Sequence, residues 1–447
     1  MTDVDGWIKK AGELADGDKP DEALELCNKV LFQEPDNYKA LFVAGSVLLK
    51  AAKHVQAIQL LKRVVELKPK DHRGYGQLAL CFGEMHRYDE SIRYAEKALG
   101  LRREAKTLAD CAYAHINGGN WLSGEKLSLE AASLATDEAL KHEIGVHQAN
   151  VCLAKKDWVN GFRGWRLTQR TKFRKEWHYG DSVEWQGEPD AVVMVTGEQG
   201  LGDEIMAASV IPSVKCRKFI FDCDERLQAL FARSFPDAIV TGTRRSQSVV
   251  LPVLPTHHKT LFGLCEIVRQ SDEDFPRKPY LVSNPEVVRM FKALFAGDRV
   301  IGLGWSGGLP RTGMEQRAAG VSAFRPLIQR GGTFVSLEYR DDAEEVRQFE
   351  ATHGMRVRRL PWVTQGKDMD LLAGLIAACD EVIGVATTST HLASALGVPT
   401  TILANRGLNW VFAPDELLWY PPTTKLWRKR SGESWRDCVN RLAESRK

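Results

Sequence analysis

The sequence predicts two architectures in series, a helical repeat array followed by an α/β region built on doubly wound parallel sheets. Three observations lead there. Small and large apolar residues recur every 34 residues through the first third of the chain. From Val192 onward, short apolar runs alternate with helical patterns. The stretch Asp380–Leu403 then reads as strand, hydroxyl-rich turn, short helix, glycine stop and strand, which is α/β punctuation.

The repeat comes first. Ala23, Ala57 and Ser91 are 34 residues apart, as are Ala11, Gly45 and Ala79, and Leu14, Leu48 and Phe82. Small residues at a fixed step let two helices of a hairpin cross closely, and the large ones fill the gaps between pairs. Pro35 and Pro69 keep the same step, each ending a helix before a polar turn (Asp36-Asn37, Lys70-Asp71). A helix–turn–helix period of 34 resembles tetratricopeptide repeats, with units beginning near Asp5, Tyr38 and Arg73. The pattern weakens over Lys106–Thr136, where Ala112, Tyr113 and Ile116 keep register but the proline is absent. A last helical pair is expected over Lys141–Arg170, with Trp158, Phe162 and Trp165 as core. Repeats of this kind bind peptides or proteins on a concave face, or act as spacers.

Residues 171–187 read as a basic, tryptophan-bearing connector. Strands are then expected at Val192–Thr196, Phe219–Phe221, Ile239-Val240, Val249–Leu251, Val300–Gly304, Thr333–Leu337, Val382–Val385 and Thr401–Leu403. Helices are expected at Glu225–Ser234 and Glu286–Phe295. Two successive sets of such units imply two sheets with a cleft beyond the carboxyl ends of their strands.

Composition narrows the function class. At 447 residues, 44% apolar and 27% charged, the chain has the make-up of a globular protein with two or three cores. A net charge of +3 is too small to argue for nucleic-acid or membrane binding. No run approaches the roughly 18 apolar residues that span a bilayer. Met1–Gly6 carries no basic segment leading into an apolar run, so no signal peptide is expected. Nine cysteines without a Cys-x-x-Cys pair predict reduced thiols in the cytoplasm, neither a disulfide framework nor a zinc site. The adjacent His257 and His258 would point apart in an extended chain, so a surface loop is expected there. Lys425–Arg430 is expected to be a solvated basic helix face.

Two motifs carry candidate chemistry. In the first, Thr387, Thr388, Ser389 and Thr390 sit where the helix containing His391 begins, at the end of a buried strand. Unpaired N–H groups and the positive end of the helix dipole suit a phosphate there, although Ser and Thr are also ordinary caps. The second is Gly197–Met206, in which Gly200 and Gly202 let the backbone turn tightly and Asp203 lands at the mouth of the next helix. An Asp at that position is either a cap or a catalytic carboxylate, and spacing leaves both open.

Taken in order, further pieces resemble the heptosyltransferase-type glycosyltransferases of the GT-B fold, in the form that fuses tetratricopeptide repeats to that module. They are Trp185-Gln-Gly-Glu, Glu198–Asp203, Gly302–Gly307, Phe334–Glu338, Thr390–Gly397 and Trp419-Tyr-Pro421. The resemblance implies repeats over 1–170, a connector over 171–187, an N-terminal Rossmann-like acceptor domain over 188–283 and a C-terminal nucleotide-sugar domain over 284–447. It implies Asp203 as the base, with Glu198, Gln199, Gly200 and Gly202 forming the acceptor-side loop. Trp305, Ser306, Arg317, Glu338, Thr387, Thr388, Ser389, Thr390 and His391 would hold the donor and its diphosphate. The implied activity is inverting transfer from a nucleotide sugar, without a metal or other cofactor, to a protein or glycan acceptor recruited by the repeats. The alternative is a relative that binds sugar nucleotides weakly or serves as a scaffold. The chain departs from the family pattern in ways that would either shift the donor or weaken the activity: Ala386 replaces an Asp, Thr388 replaces Gly or Ala, Ala318 follows Arg317 where Ser is common, and Gln316 stands in place of an acidic residue.

Overall fold

The computed structural model describes all residues except 1–3, 18, 171–179, 245–250, 309–316, 406–409, 413–415, 431 and 447. The expected segment Val249-Val250, most of the connector and most of the loop after Gly308 lie outside the described residues. Two compact units form, one built on the residues up to Val151 and the other on those from Cys152.

The first unit is a series of antiparallel helical hairpins: Val4–Asp16 with Pro20–Gln33, Tyr38–Lys50 with His54–Leu67, His72–Glu84 with Tyr88–Leu101, and Ala105–Asn117 with Trp121–Leu134. The helix Glu138–Ala154 follows. Starts are fixed by caps: the Asn37 side-chain carbonyl accepts from Ala40 N (3.1 Å), and Asp71 accepts from Arg73 N (3.0 Å). The small residues of the 34-residue step mark helix crossings. Ala11, Ala23 and Ala57 are fully buried, and a Cβ on Gly45 would lie 2.8 Å from Leu61 Cγ. Where the third hairpin carries Ser91 in place of alanine, the hydroxyl donates to Ala79 O at 2.8 Å, so the buried polar atom is satisfied. Leu48, Leu61, Leu78 and Phe82 fill the space between hairpins.

The second unit carries two five-stranded parallel sheets. The strands are β1 (Val183–Glu184), β2 (Val192–Thr196), β3 (Lys218–Asp222), β4 (Ile239–Thr241), β5 (His257–Thr260), β6 (Val300–Gly304), β7 (Thr333–Ser336), β8 (Glu381–Val385), β9 (Thr400–Ala404) and β10 (Thr424–Arg428). Their spatial orders are β1-β5-β2-β3-β4 and β10-β9-β8-β6-β7. Among the described residues every ladder is parallel. Strands β2, β6 and β9 are buried along their whole length, as central parallel strands covered on both faces must be. In each sheet the chain winds outward one way and then returns to the other side of its starting strand. The winding therefore reverses between β2 and β5 in the first sheet, and between β6 and β8 in the second.

Two expectations are corrected. His257 and His258 lie in β5, not in a surface loop, and pair in register with Val183 and Glu184. That strand was hidden by its polar sequence: Lys259 is 4% exposed because Glu184 (2.7 Å) and Glu266 (3.7 Å) neutralise it. Lys425–Arg428 is strand β10 at a sheet edge, not a helix face; there Trp427 Nε1 donates to Cys438 O (3.1 Å) and the Arg441 guanidinium lies over the Trp427 ring.

The helix Trp158–Trp165 belongs by packing to the α/β unit. Trp158 Nε1 and Lys156 Nζ both donate to Asp272 (2.8 and 2.6 Å), and the Trp158 ring packs on Phe275 at 4.8 Å. Phe162 meets Trp410 and Trp419 edge-on. These aromatics are core as expected, but the core they fill is that of the sheets.

Candidate functional site

Both motifs sit at reversal points of the sheets. The Gly197–Asp203 turn follows β2, the Trp305–Gly307 loop follows β6, and the Ala386–Thr388 turn follows β8. In open parallel sheets the carboxyl ends of the strands at such a reversal leave a crevice where ligands bind.

The helix Thr388–Leu396 starts from a capping box: Thr387 N donates to Thr390 Oγ1 at 3.0 Å. The Thr390 hydroxyl is committed locally, its single proton directed at Thr387 O (2.9 Å) with Val385 O as the more distant acceptor (3.3 Å), and Ser389 Oγ donates to Leu337 O (3.2 Å). Of the four hydroxyl residues, Ser389 and Thr390 are buried and build the turn, whereas Thr387 and Thr388 are half-buried at its mouth. Arg317 Nη2 donates to Ala386 O at 2.5 Å, which brings a guanidinium to the same turn.

His391, 8% exposed, bonds through Nδ1 to the Tyr420 hydroxyl. Burial, then the Arg317 charge, push its pKa down to about 4, so the ring is neutral at physiological pH. Side chains on a helix lean toward its N-terminus, which lays this ring over the Thr387–Thr388 turn.

The loop after β6 is held by a buried acid. Glu338, 2% exposed, accepts from Trp305 N (2.6 Å), Ser306 N (2.9 Å) and Ser306 Oγ. Burial raises its pKa, and the Ser306 and Trp305 donors oppose that. Trp305 is a core residue at 1% exposure, its Nε1 donating to Glu345 at 2.9 Å. Trp305 and Glu338 therefore shape the loop from beneath, and Ser306 is clamped between them. The loop lies on the turn: a Cβ on Gly307 would be 2.8 Å from Thr387 Cγ2.

The Gly197–Asp203 loop reaches the same place from the other sheet. A Cβ on Gly202 would lie 2.9 Å from His391 Cδ2 and 3.5 Å from Thr388 Cα, so the mouths of the helices Leu201–Ala207 and Thr388–Leu396 touch. Only glycine permits that approach. Asp203 is half-buried beside it, its carboxylate accepting from Gly200 N at 3.1 Å, the bond of a helix cap. Gln199 adopts the left-handed region (φ 69°), a conformation a non-glycine residue holds at a cost of about 1 kcal/mol or more. Its buried amide nitrogen makes no hydrogen bond among the described residues. Glu198 accepts from Phe262 N at 3.0 Å.

Residues that sequence reasoning missed tie the two helices together away from their mouths. Tyr280 donates from its hydroxyl to Ile205 O (3.0 Å), while its backbone N–H donates to Ala395 O (3.0 Å), so one residue ties both helices. Tyr420 was visible only as part of Trp419-Tyr-Pro421, with no spacing to assign it a role. Glu204, adjacent to Asp203, points away into a fully buried cluster with Arg244 and Asp224 N (2.8 Å). Burial raises it to about 7 despite Arg244, and it is enclosed, not facing the crevice.

All nine cysteines are free thiols, and all but Cys152 and Cys216 are buried. Among the described residues no group of three or more His, Cys, Asp or Glu side chains is arranged to hold a metal ion. Among them, too, no helix is long and apolar enough to cross a membrane.

Comparison with known proteins agrees with the N-terminal architecture. Residues 17–98 match the family described as anaphase-promoting complex, cyclosome, subunit 3. Over 441 residues the chain is 25% identical to Protein FlbA of Caulobacter vibrioides, covering 84% of this chain and 73% of that protein. Over 77 residues it is 34% identical to rhomboid protease GluP of Bacillus subtilis, covering 17% and 15% of the two chains. Among solved structures, a thermophilic TPR protein of Thermus thermophilus aligns at 18% identity and a TM-score of 0.34, over 38% of this chain and 92% of that one. The first unit is a TPR-like repeat region, and the second is an α/β region with two parallel sheets.

Proposed function

We propose that this chain is a glycosyltransferase whose α/β unit has the GT-B arrangement, moving a sugar from a nucleotide donor to a protein or glycan acceptor. In this reading residues 188–283 form the acceptor domain and 284–447 the nucleotide-sugar domain. The observation that carries it is the contact between the mouths of the helices Leu201–Ala207 and Thr388–Leu396, each at the reversal point of its own sheet. That contact puts a carboxylate, Asp203, beside a turn supplied with a helix N-terminus, Arg317 and His391.

The chemistry of group transfer fits this pairing. As the glycosidic C–O bond breaks, negative charge grows on the leaving nucleoside diphosphate. The dipole of the helix Thr388–Leu396 and Arg317 stabilise that charge where it develops. Asp203 takes the acceptor proton from the facing wall, and attack opposite the leaving group inverts the sugar carbon. The TPR-like repeats recruit the acceptor, and the free thiols accord with a cytoplasmic enzyme.

A second reading, a weakened sugar-nucleotide-binding or scaffold relative, is favoured by one observation: the Asp203 carboxylate is already engaged as a cap on Gly200 N. Asp203→Asn separates them. As the base, its loss lowers transfer roughly 10²–10⁴-fold with donor affinity little changed. In the second reading the wild type itself transfers little or no sugar, and Asp203→Asn, which keeps the cap, changes nothing further.

A further inference from the structure

Tyr420, to which the proposed reaction gives no role, is paired with His391 of the turn. Tyr420 is fully buried and His391 nearly so, and the Tyr420 hydroxyl and His391 Nδ1 share a hydrogen bond. The rings pack at 5.9 Å, with Phe412 also 5.9 Å from the imidazole. In such a bond either partner can supply the proton. A phenol is a far stronger acid than a neutral imidazole N–H, so the favoured direction is Tyr420 O–H donating to Nδ1. The surroundings of the pair point the same way. Burial first, then Arg317 and the positive end of the helix Thr388–Leu396, oppose an imidazolium, while burial first, then Tyr280 and Asp203, keep the Tyr420 phenol protonated.

We infer that Tyr420 is the positioning residue of this site: its hydroxyl locks His391 as the neutral tautomer with the proton on Nε2, so that the ring offers an anion an N–H donor in place of a lone pair. The consequence is chemical selectivity. A ring free to choose its tautomer would place the Nε2 lone pair toward a phosphate oxygen part of the time and repel it. A ring free to protonate would make anion binding vary with pH near neutrality. The locked ring does neither, and it leaves Arg317 as the cation at the turn. The anion part of this inference rests on reading the Thr387–Thr388 turn as a diphosphate site; the tautomer part does not.

The test uses the full chain, labelled with ¹⁵N-histidine, with His391→Gln identifying the resonances. In the wild type His391 should show an unprotonated Nδ1 and a protonated Nε2, unmoved between about pH 5.5 and pH 8. In Tyr420→Phe the ring should become a tautomer mixture or titrate within that range. Affinity for inorganic pyrophosphate should then fall roughly three- to tenfold, the scale of one hydrogen bond, and acquire a pH dependence the wild type lacks. A wild-type proton on Nδ1, or a Tyr420→Phe spectrum like the wild type's, would overturn the inference. The stated tautomer with no pyrophosphate binding to either protein would instead overturn the anion-site reading and leave the Tyr420–His391 lock standing.

Discussion

Gly202→Ala adds one methyl group at the contact on which the site depends, and two opposing effects set its outcome. Alanine in the first turn of the helix Leu201–Ala207 favours folding by about 0.5–1 kcal/mol through backbone entropy. Against that, the new Cβ would lie 2.9 Å from His391 Cδ2 and 3.5 Å from Thr388 Cα. One of these is backbone, and the other belongs to a ring pinned by Tyr420. Neither can yield cheaply, so the overpacking cost of about 1–3 kcal/mol wins. The net expectation is a loss of about 0.5–2 kcal/mol, or roughly 1–8 °C in Tm for a unit of this size. Thermal unfolding measures it, and a cycle with Tyr420→Phe locates it: freeing the ring should recover at least about 0.5 kcal/mol of the penalty. A Gly202→Ala protein more stable than wild type, with no coupling to position 420, would mean the two helix mouths do not meet.

Three further expectations follow from the packing and the titrations. A chain starting at Cys152 should fold and keep donor binding, whereas one starting at Thr171 should lose about 3–5 kcal/mol or fail to fold, because Trp158 and Phe162 are core of the α/β unit; Trp158→Ala should show a loss of the same size by denaturant unfolding. His391, pushed down to about 4 from an ordinary 6.5, contributes stability that is fully present above pH 6.5 and is lost as pH falls toward 4. This loss is on the order of 3 kcal/mol and should be smaller in His391→Gln melting curves. Glu338→Ala strips the loop N–H groups of Trp305 and Ser306 of their buried acceptor, which should cost about 1–3 kcal/mol and weaken nucleotide binding through the loop.

The sequence made visible what repeats or buries uniformly. The 34-residue step is legible because each hairpin crossing needs a small residue at Ala11, Gly45 and Ala79. Strands such as β6 and β8 are legible because burial on both faces demands unbroken apolar runs. β5 escaped because ion pairs satisfy its Lys259, and β10 because an edge strand can carry Lys425 and Arg428. The helix Trp158–Trp165 shows a different limit: its spacing announces a buried face without saying which unit covers it. The same holds at the site. Glycines and hydroxyls marked both turns, but nothing local shows that Gly202 meets His391, or that Tyr420, 29 residues further along, fixes that ring. Those relations are set by tertiary packing.

The central claim, that the turn after β8 holds a nucleoside diphosphate, is tested most directly by calorimetric titration of the common nucleoside diphosphates into wild type and Arg317→Ala. One of them should bind the wild type at a single site, and the variant should lose roughly 1.5–3 kcal/mol of that affinity, the scale of a hydrogen bond to a charged group. Absence of binding by every nucleotide, or the same Kd in both proteins, would contradict the account.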